Sequence, residues 1–366
     1  MINLGFFPSR RLAYYMVRLF LTRSLAVLFA LILVLMTLDL LGEAGKILAV
    51  PGNGDAALWH YVALRIPLLV SRFLPFSVLL GTLIAFVSLN QNSEVVAMKA
   101  AGLSAHQILA PLIVASIAIS ALLFAFNEGV VVNSARVVDA WSDNDYKPIP
   151  PVSGVASNVW LLQGDDLFRV GIVTGRGAGM TLHDLSIYDR TGGVLQRVLN
   201  AKSATPDGAG SWLLHDVQVY DANQNFVRRL ADTKGLAGVT PGQLTLAKVD
   251  PTELDYWTLK QRIAELDAAG RPTDEPRAGL AHKLSQPLSI LLMPLLAAVA
   301  AFGLARSGQV LIRAVTGMAL GFAYFVADNF SLAMGNAGAY PPVIAAWAPF
   351  LLFLLIGEAV LVRTEE

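Results

Sequence analysis

Six charged side chains stand inside strongly apolar sequence, and they offer the most chemistry in this chain. Asp39 and Glu43 are four positions apart, with Lys46 three further on, so a helix carries all three on one face. Arg65 and Arg72 are seven apart, again on one helical face. Asp328 stands alone in a later apolar stretch. Charge in hydrocarbon is costly, so such residues pair, face a cavity, or snorkel to the interface. Snorkelling suits Lys46 and Arg65; Asp39 and Arg72 lie deeper and suit pairing or a cavity. This is the chemistry of holding charge, not of making bonds. The five histidines (His60, His106, His183, His215, His282) are scattered, without an H-E-x-x-H pattern, and no G-x-S-x-G elbow is present. Gly45-Lys46 is followed by Ile47, which is not a Walker A loop. No catalytic group, no metal site and no cofactor bound by this chain is expected. With a formal net charge of +0 and no cysteine, nothing points to nucleic acid or to thiol chemistry.

A second constellation is polar and short. Residues 89–102 read as a small helix stopped by Gly102, and Ser104 with Gln107 matches a capping box opening the next helix. Glu94, Val95, Val96, Met98, Gly102 and Leu103 make a helix lying on the membrane surface. On pattern alone an amphipathic connector is the plainer reading, with a docking element for a partner as the alternative.

The elements that must position these residues follow from composition. Of 366 residues, 55% are hydrophobic and 15% charged, where a soluble domain has about a quarter charged. The apolar excess lies before residue 130 and after residue 280. About 20 apolar residues cross a bilayer, and stretches of that kind lie at Leu25–Val50, Leu64–Leu89, Ile108–Phe126, Leu284–Leu304, Val310–Met334 and Val343–Val362. Phe6, Phe7, Leu12 and Tyr15 among arginines read as an amphipathic lead-in to a retained first span. Arg10, Arg11, Arg18 and Arg23 at the start, Arg306 and Arg313 after the fourth span, and Arg363 near the end place both termini in the cytoplasm. The middle then lies across the membrane. It is punctuated by turns at 164–166, 191–193, 206–208 and 221–223. Between them are short runs: Val159–Leu162, Leu167–Val173, Leu185–Tyr188, Trp212–Leu214 and Val217–Tyr220. Pro148, Pro150 and Pro151 mark its start. The expected fold is an α-helical polytopic membrane protein of six transmembrane helices with an inserted all-β domain. Its expected parts are an N-terminal membrane block 1–134, a β domain 135–251, a soluble helix (Tyr256–Ala269) with linker 252–279, and a C-terminal membrane block 280–366.

Nearly the whole chain resembles the lipopolysaccharide export permease family LptF/LptG, most closely its LptG branch. The residues that carry this are Ser93-Glu94-Val95-Val96-Ala97-Met98-Lys99-Ala100-Ala101-Gly102, Gln286-Pro287-Leu288-Ser289, Val315-Thr316-Gly317 with Gly321-Phe322 and Asp328, Pro341-Pro342, and Leu185-Ser186-Ile187-Tyr188. The resemblance implies an ABC-exporter permease with a periplasmic β-jellyroll in the bacterial inner membrane. The implied partners are an LptF-like permease, an LptB-like ATPase dimer that binds ATP and Mg, an LptC-like single-span subunit and an LptA-like periplasmic bridge. The implied cargo is lipopolysaccharide or a related glycolipid. Glu94 matches the acidic coupling position that engages the ATPase. The first and fifth spans match lateral gates, which makes Asp39, Glu43, Lys46, Arg65, Arg72, Arg136 and Asp328 the candidate cavity and gate residues. One departure stands out: where family members carry lysines at the outer end of the first span, only Lys46 is basic and Glu43 has the opposite sign. Arg72, with Arg65 and Arg136, is the expected substitute cation. A non-transporting membrane scaffold with the β domain as a lever is the alternative.

Overall fold

The computed structural model describes residues 8–148, 156–175, 179–208, 210–223, 225–242, 244, 249–268, 270–303 and 310–363. Phe6, Phe7, Pro150, Pro151 and Arg306 lie outside them. The lead-in and first span form one helix, α1 (Arg10–Leu48), whose Ser9 side chain accepts from the Leu12 amide. Next come α2 (Asp55–Gln91), α3 (Glu94–Ala100) and α4 (Ala105–Phe126). The capping box forms: Gln107 N donates to Ser104 Oγ, and Ser104 N to Gln107 Oε1. A π-helical turn, Asn127–Val131, joins α4 to α5 (Val132–Asp143). The helix therefore runs well past residue 134, and the first strand starts at Ala156. A chain leaving the membrane keeps its helical hydrogen bonds until a competing turn appears, here at Asn144–Tyr146.

After the β domain come α6 (Tyr256–Ala268), α7 (Asp274–Ala298), α8 (Val310–Asn336) and α9 (Pro342–Arg363). Among the described residues five helical runs are long and apolar enough to cross a membrane: α1, α2, α4 through α5, α7 and α9. The expected fifth span is one 27-residue helix, α8. In α7, 78% of the most apolar window is buried, against 11% in α1. So α7 is the central post of the bundle, packed by α2, α4, α8 and α9. Gly317 and Gly321 of α8 rest directly on Leu83 and Leu79 of α2, and Gly357 of α9 on Leu295 of α7. Small residues let the backbones approach this closely, as packing in lipid requires. α1 instead leaves Leu25, Phe29, Leu38 and Leu41 exposed along its outer side.

The β domain is a six-stranded antiparallel meander in chain order: β1 (Ala156–Gln163), β2 (Asp166–Thr174), β3 (Thr181–Thr191), β4 (Val194–Pro206), β5 (Trp212–Asp221) and β6 (Phe226–Gly235). The expected runs Trp212–Leu214 and Val217–Tyr220 are one strand. Its ladder skips a residue, Asp216, which has φ of 54°. Asn158 and Asp184 are also left-handed, and the five missing pairs run through one row of six residues, Asn158, Gly171, Asp184, Lys202, Asp216 and Ala231. This row is a crease across the sheet. It flips the inward phase, so Leu182 and Leu185, Ala201 and Ala204, and Leu214 and Val217 are all buried. A Cβ at Gly171 would sit 2.9 Å from Asp184 Cβ, so the crease needs a glycine there. Bent along it, the sheet closes over its own core. Leu236, Val239 and Leu244 from the segment after β6 fill the open side. Trp212 Nε1 donates to Val239 O and Gln163 Nε2 to Ala237 O, which fixes that segment in place.

Candidate functional site

A cavity of about 810 Å³ lies between α2, the π turn with α5, α7 and α8. Phe73, Phe76, Phe322, Phe325 and Leu332 give it apolar walls. Its polar groups come from four elements and are largely matched to one another. Lys283 Nζ donates to Glu128 Oε1 at 3.0 Å, and Glu128 also accepts from the Tyr256 amide. His282 Nε2 lies 3.1 Å from Asp328 Oδ2, joining α7 to α8. Gln286 Nε2 donates to Ser71 Oγ at 3.5 Å. Arg72 is different: its side chain is exposed along the cavity wall and makes no ion pair among the described residues. The cavity thus joins an apolar lining to one uncommitted cation.

Of the expected cavity residues, Arg72 and Asp328 line this space; the rest do not. Arg65 grips Asp39 with two bonds of 3.0 Å, and Tyr61 donates to the same carboxylate at 2.7 Å. Lys46 pairs with Glu43 at 2.9 Å, and Tyr146 donates to Glu43 at 2.8 Å. Burial pushes the Tyr146 phenol up, which keeps it a donor. These groups close the C-terminal ends of α1 and α5 and the N-terminal end of α2 around Trp141 and Tyr146. Opposite charges placed within reach neutralise one another before they serve a ligand, which is why the first-span residues leave the cavity. Arg136 donates to the Glu253 carbonyl at 2.9 Å and ties α5 to the linker before α6. Lys46 lines a second hollow of about 780 Å³ with Asp145, Tyr146 and Lys147.

The surface helix is shorter than expected. α2 continues to Gln91, Ser93 turns at φ of 60°, and α3 starts at Glu94. Val95 and Met98 were expected to face a partner, but they are buried against the chain's own core, with Leu103 packed beside them. A seven-residue helix has one apolar side, and the nearby bundle takes it. Val96 remains 65% exposed, and Glu94 is half-buried, accepting from Tyr15 at 3.2 Å. Gly102 has φ of 85°, the left-handed stop expected of it.

Glu128, His282, Lys283 and Gln286 escape the sequence reading. Glu128 and Lys283 look like boundary charges at span ends. A signal was present on α7: Glu275, Gly279, His282, Gln286, Ser289 and Met293 repeat at alternating steps of four and three and all line the cavity. That spacing marks one helix face, and a polar stripe entering an apolar span marks a cavity.

Residues 14–363 match the family model described as lipopolysaccharide export system permease LptF/LptG. The chain is 27% identical over 335 residues to the lipopolysaccharide export system permease protein LptG of Escherichia coli (strain K12), covering 89% of each chain. It is 25% identical over 316 residues to the protein of the same description from Haemophilus influenzae, covering 83% of this chain and 86% of that one.

Proposed function

The chain belongs to the LptF/LptG family of lipopolysaccharide export system permeases, and from that premise we propose how its parts divide the work. As a permease subunit in the inner membrane, it forms one half of a lipid-extracting cavity; an LptF-like subunit supplies the other. The cargo, lipopolysaccharide or a related glycolipid, enters sideways from the outer leaflet. The physical problem is desolvation. At about 0.8 kcal/mol per CH₂, exposing several acyl chains to water costs tens of kcal/mol. Phenylalanine walls in the cavity and an apolar route toward the β domain keep the chains out of water.

The observation that carries this reading is Arg72: a cation without an ion pair on an apolar cavity wall, near Lys283 and His282, which are held by Glu128 and Asp328. Arg72 takes the anionic headgroup, the role that lysines at the outer end of the first span cannot fill here. Asp328 holds His282 and so fixes α8 against α7 beside that headgroup. Drive comes from a separate LptB-like ATPase dimer, which binds ATP and Mg and docks on Glu94 and Val96. Val95, Met98, Gly102 and Leu103 hold α3 rigidly so that a push on it moves the bundle. LptC-like and LptA-like proteins receive the lipid on the periplasmic side, where the β domain lies, with both termini in the cytoplasm.

Photo-crosslinking tests the proposal. A photoreactive residue at Phe322 in the reconstituted complex should capture lipopolysaccharide, and capture should fall in Arg72→Ala. Equal capture in both would remove Arg72 from the binding site.

A further inference from the structure

The outward face of the β sheet carries a pattern that extraction through the membrane block does not use. The strand register aligns Leu162, Leu167, Tyr188, Val198, Tyr220 and Phe226 in one row across the six strands. In the neighbouring row on the same face, two residues away along each of β1 to β5, Trp160 lines up with Arg169, Ser186, Asn200, Gln218 and Arg229. Both rows point away from the core, because buried Phe168, Ile187 and Val219 alternate with them. Leu162, Trp160 and Phe226 are 64%, 44% and 59% exposed. The Trp160 and Tyr188 rings lie 14° from parallel with centroids 6.1 Å apart. Trp160 Nε1 and Arg169 Nε both donate to Asn158 Oδ1, at 3.1 and 3.3 Å. Asn158 is itself one of the left-handed residues of the crease. The indole edge is thereby pinned while the ring stays open to solvent. At the other end Tyr220 packs edge-on to Phe226 and donates to Gln218.

We propose that this face binds an oligosaccharide, namely the sugar portion of the exported glycolipid; the choice of that sugar rests on the transport reading above. A sugar ring has a flat C–H face and a rim of hydroxyls. Aromatic rings take the first, and amide, hydroxyl and guanidinium groups take the second. Here the two are supplied by adjacent rows. A protein partner needs a broad patch, about 800 Å² per side with an apolar centre. This apolar row is one side chain wide and is bordered along its length by polar side chains. Acyl chains have no place here, since the apolar core lies on the opposite face of the sheet. Five strand spacings give the row a length of about 24 Å, room for several linked sugars.

The test uses the full chain in detergent and lipid-free core oligosaccharide released from lipopolysaccharide by mild acid, with binding read by calorimetry. The parent should bind. Trp160→Ala and Tyr188→Ala should each weaken binding at least about tenfold, with circular dichroism unchanged. Trp160→Tyr should retain most of it, and Val194→Ala, exposed but outside both rows, should behave as the parent. Absence of binding by the parent, or equal binding by Trp160→Ala, overturns the proposal. So does the case in which the parent ignores the sugar while a photoreactive group at Leu162 crosslinks the β domain of a partner subunit. Lipopolysaccharide-stimulated ATP hydrolysis by the assembled complex is measured alongside. Normal stimulation without sugar binding refutes only the sugar face, whereas absent stimulation refutes the transport reading itself.

Discussion

Arg65 holds Asp39 across 26 residues of sequence with two parallel bonds, Nε to Oδ2 and Nη2 to Oδ1, both 3.0 Å. The pair locks the C-terminal part of α1 to the N-terminal part of α2, and Tyr61 completes the carboxylate. Removing one partner leaves the other partly buried and unmatched. Arg65→Ala and Asp39→Ala should each lower the thermal midpoint in detergent. The double variant should lose less than the sum, with a coupling of about 1–2 kcal/mol. Strict additivity would show that the clasp contributes nothing.

Gly81 packs where nothing larger fits. A Cβ there would lie 2.5 Å from the Ser24 backbone nitrogen and Cα, so relief requires the helices themselves to part. Gly81→Ala should destabilise the α1–α2 crossing by about 1–3 kcal/mol or more, read as a lower midpoint and reduced yield. Gly42→Ala is the control, because an added Cβ meets nothing within 4 Å.

Arg72→Ala should weaken capture of anionic lipid in the cavity, and Arg72→Lys should restore part of it, since charge matters more than the guanidinium shape for a phosphate held as a point charge. A lipid without phosphate should be captured equally by all three. Arg65→Ala should leave capture unchanged, because Arg65 is committed to Asp39 outside the cavity.

The order of apolar helices around an inserted β domain was legible because hydrophobic runs and turn residues report on local preference. The capping box at Ser104 and the stop at Gly102 were legible for the same reason: both are local. Partnership was not legible. Asp39 read as a deep charge suited to pairing or a cavity and Arg65 as a snorkelling one, on separate helices, and only the α1–α2 packing makes them each other's partner. Val95, Val96 and Met98 are alike in sequence, and the bundle decides that the first and last face inward. β4 carries Gln196, Arg197, Asn200 and Lys202, and β6 carries Arg228, Arg229, Asp232 and Lys234; neither shows a clean alternation, so they escaped notice. The break at Asp216 split β5 in two because a left-handed residue shifts the phase by one, which mimics a turn in a pattern of period two.

His183 makes the β domain sensitive to mild acid. It sits beside the crease, bonded to Thr174 Oγ1 at 3.1 Å, and burial holds its imidazole below the ordinary value of 6.5. The folded state therefore keeps it neutral while the unfolded chain takes up a proton. Its contribution is intact above 6.5 and is lost as pH falls from there toward the folded value, since the unfolded state then binds more protons. Melting of the β domain followed from pH about 7.5 to about 5 should show this decline, and His183→Gln should flatten it. An unchanged slope in His183→Gln assigns the decline to other groups. The carboxylates Asp216 and Asp221 are held low by hydrogen bonds from Arg229 and Asn225, so their own losses fall at still lower pH.

Glu94→Arg should uncouple ATP hydrolysis from lipid without unfolding the chain. Glu94 opens α3, where a carboxylate suits the helix N-terminus by about 0.3–1 kcal/mol, and its oxygen accepts from Tyr15 of α1. The anchors of α3 are Val95 and Met98, which the substitution leaves in place. Only the outward charge is reversed, and with it the surface offered to an ATPase. In vesicles holding the assembled complex, lipopolysaccharide should stimulate hydrolysis by the parent and fail to do so in Glu94→Arg, while complex yield stays near normal. Tyr15→Phe removes a single hydrogen bond, about 1 kcal/mol, and should reduce stimulation less than the charge reversal does. If Glu94→Arg is stimulated as well as the parent, Glu94 is not the coupling residue, and the push must enter through Val96 and its exposed neighbours instead.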